Sequence, residues 1–163
     1  RAVFGELANA SYVALDRLRP QLTRDQVHAW LKEATSSAEQ TRQLFLLLSL
    51  CGESSDIALL RQEFHQCIES NWDGTLDAVI LAYVAIGGAA ALDDVDRTLL
   101  SQQDRSYELK AAAANALTFL IETQRGIDRS RLLLSCRKLL QDPDTAELMV
   151  RDVARWENWQ WQN

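Results

Sequence analysis

The sequence predicts one all-α domain over residues 1–163, built from helical hairpins that stack on one another. The chain has 163 residues with only 6 Gly and 2 Pro, too few for many short strands joined by tight turns. Hydrophobic residues make up 47% and charged residues 25%, a composition typical of a globular domain. Apolar stretches and polar breaks also alternate at an even pace, which indicates an internal repeat.

The repeat is clearest in the segments 42–52 and 77–87. Both are apolar runs of helix length that begin with a charge and end at Gly, and the second lies 35 residues after the first. Each is followed by a short turn and a more amphipathic stretch. In these second stretches apolar residues recur at helical spacing, as in Leu60, Phe64 and Ile68. The unit of the repeat is therefore a pair of helices.

The helices differ in how apolar they are, which predicts their order in the stack. Those that begin near Thr41, Leu76 and Tyr107 are apolar almost all round and are predicted to be central. The first and last helices carry one polar face and are predicted to cap the ends. Short polar or acidic side chains at Ser55-Asp56, Asp93-Asp94 and Asp128 are interpreted as starts of second helices. The predicted helices are 4–18, 24–34, 41–51, 56–70, 76–86, 91–101, 107–123, 128–141 and 145–159.

A family resemblance rests mainly on residues 140–154. Leu-Gln-Asp-Pro-Asp at 140–144, followed by Val150-Arg151 and Ala154, resembles the opening of a HEAT repeat. Arg42 with Phe45 and Lys110 with Ala113 are similar to the same positions of earlier repeats, and Gly52 and Gly87 are similar to the family's inter-helix glycine. The earlier turns lack Pro, and Asp77 replaces the usual basic residue.

The resemblance implies a right-handed α-α superhelix, a solenoid of about four and a half antiparallel helical hairpins. Short bacterial HEAT-like repeats of this kind also resemble those of phycobilisome lyases, in which the helices handle a tetrapyrrole attached to a client protein. Because such repeats present extended surfaces, the resemblance favours binding of another macromolecule over catalysis.

Charge and cysteine content restrict the partners and the compartment that we expect. The net charge of −6 should repel phosphate backbones, so we expect no nucleic acid partner, and a HEAT-like DNA glycosylase is disfavoured. Three Cys, an odd number in apolar or helical surroundings, favour the cytoplasm. The apolar run 78–92 is shorter than the roughly 20 residues of a membrane span, so we expect none, and no signal peptide is visible.

No motif in the sequence predicts catalysis or a metal centre. His28 and His65 lack a second ligand at a spacing that would place both on one helix face. They are interpreted as lying at the partly exposed edge of second helices. The carboxylates of Asp93, Asp94 and Asp96 are interpreted as stabilising a helix start through the helix dipole. We therefore expect no metal, no cofactor and no small-molecule ligand, and the sequence favours a protein that is not an enzyme over one that is.

Two groups of residues are candidate partner contacts. Arg129 and Arg131 belong to a basic segment, 125–138, that could meet an acidic partner, although the sequence favours a solvated helix face as its explanation. Trp159 and Trp161 could dock a partner or close the open end of the stack.

The sequence thus predicts a non-catalytic protein-interaction or scaffold module that presents an extended helical face to a partner protein. The alternative is a bilin lyase-like protein that handles a tetrapyrrole on a client protein, with Trp30 and Arg61 as candidate chromophore contacts.

Overall fold

The computed structural model describes residues 14, 16–17, 19–33, 37–123 and 125–158, and the regular structure within them is entirely helical. The prediction of an all-α fold is confirmed for this part of the chain. Short 3-10 turns at Arg19–Gln21 and Ser54–Asp56 precede the first and third helices. The helices are α1 (Arg24–Glu33), α2 (Ala38–Cys51), α3 (Ile57–Glu69), α4 (Leu76–Val95, extended by a π-helical turn at Asp96–Leu100), α5 (Tyr107–Thr123), α6 (Arg129–Leu140) and α7 (Pro143–Asn158).

Helix starts follow local capping chemistry. Ser37 has an extended backbone and its side chain accepts a hydrogen bond from the Gln40 backbone N–H, so α2 begins at Ala38, three residues before the predicted start. Pro143 occupies the first position of α7, where its missing N–H costs nothing, and α7 therefore begins two residues before the prediction. Asp128 caps α6 as predicted, by accepting from the Ser130 backbone N–H.

Helix α4 is broken at Gly88, whose φ of 64° and ψ of −146° fall in a region that only glycine populates readily. The Tyr83 hydroxyl donates to Asp94 Oδ2 at 3.1 Å. In an unbroken helix two residues eleven positions apart are separated by about 16 Å, beyond the reach of these side chains. The chain therefore folds back after Gly88, and the two helices predicted on either side of Gly87-Gly88 are present as residues 76–87 and 89–100.

The helices form two sets, which we call the first-helix layer and the second-helix layer. The first-helix layer comprises α2, residues 76–87 of α4, α5 and α7; α4 packs against both α2 and α5, and α5 packs against α7. The second-helix layer comprises α1, α3, residues 89–100 and α6; α3 packs against α4, and α6 packs against the π-helical turn.

The burial of the helices follows their predicted apolar character. The helices expected to be central are the most buried, with Leu47, Ile80 and Leu117 completely inaccessible to solvent. In α7 one face is buried through Met149, Val153 and Trp156, and the opposite face is exposed, which agrees with the single polar face predicted for the last helix. A single hydrophobic core runs through the described helices.

One described helix, Leu76–Leu100, is long and apolar enough to cross a membrane by length and composition alone. Within its most apolar window, however, 61% of the residues are buried inside the protein, and Gly88 interrupts the run. The core helix of a soluble protein shows the same combination, so the run is weak support for a membrane span.

Candidate functional site

Three aspartates that lie in the second-helix layer or at its start are almost inaccessible to solvent: Asp56 at 1%, Asp94 at 5% and Asp96 at 4% exposure. Burying a carboxylate is costly unless it is paired and hydrogen-bonded. Each of the three is paired with cations from a neighbouring helix. We call these contacts the aspartate junctions, because they join successive members of the layer.

The Asp56 junction joins α1 to the start of α3. Arg24 donates from Nε to Oδ2 at 2.8 Å and from Nη2 to Oδ1 at 2.6 Å, a bidentate contact. His28 Nε2 lies 2.7 Å from Oδ1, and the Glu53 backbone N–H donates to Oδ2 at 2.8 Å. Arg24 is the main reason that the pKa of Asp56 falls to about 2, although burial alone would raise it.

The Asp94 junction joins α3 to the second half of α4. His65 Nε2 lies 2.9 Å from Oδ2, Arg97 donates to Oδ1 at 2.6 Å, and Arg61 Nε is 3.5 Å from Oδ2. Burial raises the pKa of Asp94, but the hydrogen bonds from His65, Arg97 and Tyr83 outweigh it and lower the pKa overall. Burial and the neighbouring carboxylate raise the pKa of Tyr83 to about 12.

The Asp96 junction joins the second half of α4 to α6. Arg131 Nη2 donates to Asp96 Oδ2 at 2.9 Å and to Asp93 Oδ1 at 2.5 Å, and Lys138 Nζ lies 3.1 Å from Asp96 Oδ2. Arg131 also donates to Ser135 Oγ at 2.8 Å. Asp96 Oδ1 is shielded from solvent and has no hydrogen-bond partner among the described residues. The guanidinium of Arg131 is thus held between two helices.

The interpretation of Asp93, Asp94 and Asp96 as a helix start is wrong. The second half of α4 begins directly after Gly88, so these residues lie beyond its first turn, where the helix dipole contributes little. Asp94 and Asp96 are buried and face cations of α3 and α6 instead. Local sequence could not reveal this, because the partners lie 29 and 35 residues away.

A short motif links the first two junctions and was missed by the sequence analysis. Arg24 and His28 on α1, and Arg61 and His65 on α3, have the same Arg-x-x-x-His spacing, which places both side chains on one helix face. Both His residues lie at partly exposed helix edges, as predicted, with side-chain exposures of 24% and 33%. Each meets one aspartate, and no group of three or more metal-ligating side chains occurs within the described ranges.

The structure places the predicted partner residues differently. Arg131 is only 27% exposed and bridges α6 to α4, as described above. Arg129 is partly buried at the start of α6, and its Nε has no hydrogen-bond partner in the described part of the chain. Trp159 and Trp161 lie outside the described residues. Trp30, a candidate chromophore contact, packs partly buried against the core.

A cavity of about 520 Å³ opens between the α4–α5 loop and the α6–α7 turn. Its cationic side chains already have protein partners: Lys110 pairs with Asp142, Lys138 donates to Ser101 Oγ at 3.3 Å, and Arg105 Nε donates to the Thr98 carbonyl at 3.2 Å. Lys110 holds the pKa of Asp142 below its ordinary value. The cationic side chains of the lining are therefore used in contacts within the protein.

Comparisons with protein-family models, with curated proteins and with solved structures found no match for this chain.

Proposed function

We propose that the protein is a non-catalytic interaction module, a HEAT-like right-handed superhelix of helical hairpins whose second-helix layer presents an extended face to a partner protein. The observation that supports this proposal most strongly is the series of aspartate junctions. They join each member of this layer to the next through residues 28, 29 and 35 positions apart, which is close to one repeat. Like units placed side by side produce this pattern of contacts.

The outer side of the layer is polar and open to solvent. Arg61 and Arg97 have side-chain exposures of 60% and 72%, and Gln62 and Gln66 on α3 are also exposed. Four neighbouring helices at packing distances of 8–10 Å make a face on the order of 30 Å wide. A face of this size supports a specific protein interface of ordinary area.

The ionic contacts also support a rigid binding face. Because Arg24, Arg97 and Arg131 are each held by a buried carboxylate, a partner that meets their outer sides does not need to order them. Binding by pre-ordered side chains costs less conformational entropy than binding by free ones.

The proposal is tested by isolating the tagged protein from its source cells and measuring partner stoichiometry by mass spectrometry. Gln62→Arg with Gln66→Arg alters the second-helix layer at two exposed positions one turn apart. Val150→Arg with Ala154→Arg alters α7 at the same spacing and serves as the matched control. We expect a stoichiometric partner that the first variant loses and the control retains.

Equal retention by both variants would contradict the proposed face. If no stoichiometric partner is found while the purified chain turns over a small molecule, the interaction module itself is excluded. Circular dichroism must show the same melting temperature for both variants, since the exposed positions should not alter folding.

No contact among the described residues favours the tetrapyrrole alternative, which stays a prediction from the sequence. Its two candidate chromophore contacts serve the protein itself, since Trp30 packs against the core and Arg61 faces Asp94. An absorbance shift of added bilin that Arg61→Gln abolishes would restore it.

A further inference from the structure

We propose that the outer face of α6 binds an acidic, partly apolar segment of the partner, an inference that rests on the proposed function. Helix α6 carries Arg129, Arg131, Arg137 and Lys138 and no carboxylate, in a chain whose net charge is −6. The other described helices all carry at least one acidic residue. The positive charge of α6 is therefore local. Asp93 and Asp96 of α4 offset part of it at Arg131 and Lys138, and the outer side of the helix carries no carboxylate, which favours a ligand of opposite sign.

An apolar side chain stands in the middle of this face. Ser130, Leu134 and Arg137 follow each other at helical spacing and are all exposed. Leu134 is 52% exposed, whereas the two leucines that precede it in sequence, Leu132 and Leu133, are buried. A segment that lies along this stripe can place an apolar side chain on Leu134 and a carboxylate at Arg137.

Cations along the α4 side of the stripe are held in fixed positions. Arg131 and Lys138 are tied to Asp96, yet 27% and 36% of their side chains remain exposed. Arg97 on α4 is tied to Asp94 and is 72% exposed. Each of these three side chains keeps an exposed portion, which can meet a second carboxylate without leaving the buried aspartate.

The cations and the exposed Leu134 together favour a peptide over a nucleic acid as the ligand. A phosphate backbone would use the cations but has no counterpart for Leu134, and the overall negative charge opposes its approach. An amphipathic segment with carboxylates beside an apolar residue uses both features. Arg is also suited to bidentate carboxylate contacts.

The binding test uses a fluorescein-labelled 15-residue peptide with Leu at every fourth position and Glu or Asp at most others. Fluorescence anisotropy measures its affinity at low and at physiological salt. A peptide with Lys in place of the acidic residues and a single-stranded oligonucleotide are the comparison ligands. We expect saturable binding of the acidic peptide only, which weakens as salt increases.

Two double variants locate the site. Leu134→Glu with Arg137→Glu should lower the affinity by about tenfold or more, equivalent to about 1.4 kcal/mol. Val150→Glu with Arg151→Glu on α7 is the matched control, because Val150 is 53% exposed, and it should leave the affinity unchanged. No saturable binding up to millimolar peptide, equal loss in both variants, or equal binding of the oligonucleotide would each overturn the proposal.

Isolation from source cells separates this proposal from the proposed function. If Leu134→Glu with Arg137→Glu retains the cellular partner while Gln62→Arg with Gln66→Arg loses it, the interaction module stands and the α6 site falls. If both pairs of substitutions lose the partner, both proposals are supported. If both retain it, both fail.

Discussion

The Asp56 and Asp94 junctions are two versions of one arrangement. In each, an arginine and a histidine one helical turn apart on a second helix approach a buried aspartate that follows the histidine by 28 or 29 residues. At Asp56 the arginine, Arg24, makes a bidentate contact. At Asp94 the corresponding Arg61 lies 3.5 Å away and is 60% exposed, and Arg97 and Tyr83 supply hydrogen bonds instead.

We infer that packing places the helices and that the ionic contacts adapt to this placement. The residue before each histidine, Val27 in α1 and Phe64 in α3, is completely buried. Phe64 also contacts Tyr83, with ring centroids 5.9 Å apart. Where the larger Phe64 replaces Val27, different donors surround the aspartate. The aspartate itself is buried at both junctions.

The largest effect should come from these two core positions. Phe64→Ala should lower the free energy of unfolding by about 3–5 kcal/mol, because it removes a ring and leaves a cavity. Val27→Ala removes two methyl groups and should cost about 2 kcal/mol. Urea denaturation followed by circular dichroism measures both. A larger decrease in the free energy of unfolding for Val27→Ala than for Phe64→Ala would contradict the view that packing dominates at α3.

Neutralising the aspartates should have the next largest effect. Asp56→Asn and Asp94→Asn should each cost about 1–3 kcal/mol, because an amide cannot satisfy the cations that surround the carboxylate. The cost should be larger at Asp56, which also accepts the Glu53 backbone N–H. Asp104→Asn, at an exposed loop position, is the control and should leave the urea midpoint unchanged. If Asp56→Asn and Asp94→Asn had the same urea midpoint as this control, the two junctions would contribute nothing to stability.

The two junctions should also differ in their dependence on pH. The pKa of Asp56 is about 2 in the folded protein against an ordinary value of 3.8. The ionised Asp56 carboxylate therefore contributes fully to the free energy of unfolding at pH values above 3.8, and this contribution is lost as the pH falls toward 2. The stability difference between the wild type and Asp56→Asn should shrink over this range, and more steeply than for Asp94→Asn. Denaturation midpoints between pH 6 and pH 2.5 measure this, and a difference independent of pH would refute it.

The smallest effect should come from the exposed arginine. Arg61→Gln should change the free energy of unfolding by less than about 0.5 kcal/mol, because a long, exposed ion pair is screened by solvent. Arg24→Gln should exceed this clearly, since it leaves Asp56 without its bidentate partner. A double-mutant cycle of each arginine with its aspartate measures the two coupling energies. Equal coupling energies would show that the bidentate contact of Arg24 is no stronger than the long contact of Arg61.

Much of the fold was predictable because its signals are local. Gly87-Gly88 marked the break in α4, and the apolar helices at Thr41, Leu76 and Tyr107 proved to be the buried ones. The start of α2 was misplaced because the Ser37 cap was not recognised. These features depend on neighbouring residues only, so a single sequence contains them.

The candidate site was predictable only in part because its contacts are not local. The Arg-x-x-x-His spacing of α1 and α3 is visible in the sequence, but its meaning depends on which aspartate faces it. The run at Asp93, Asp94 and Asp96 looks the same whether it caps a helix or receives cations from other helices. Arg131 was singled out as part of a basic segment that could meet an acidic partner, but its ties to Asp93 and Asp96 depend on the packing of α6 on α4.

The break at Gly88 also sets the length of the apolar rods in the folded protein against the thickness of a lipid bilayer. An unbroken helix from Leu76 to Leu100 would be a rod of about 37 Å, longer than the roughly 30 Å of hydrocarbon that a span must cross. Each half of the broken helix is only about 18 Å long. One glycine therefore turns a segment with the length and hydropathy of a membrane anchor into two rods, neither of which can reach across.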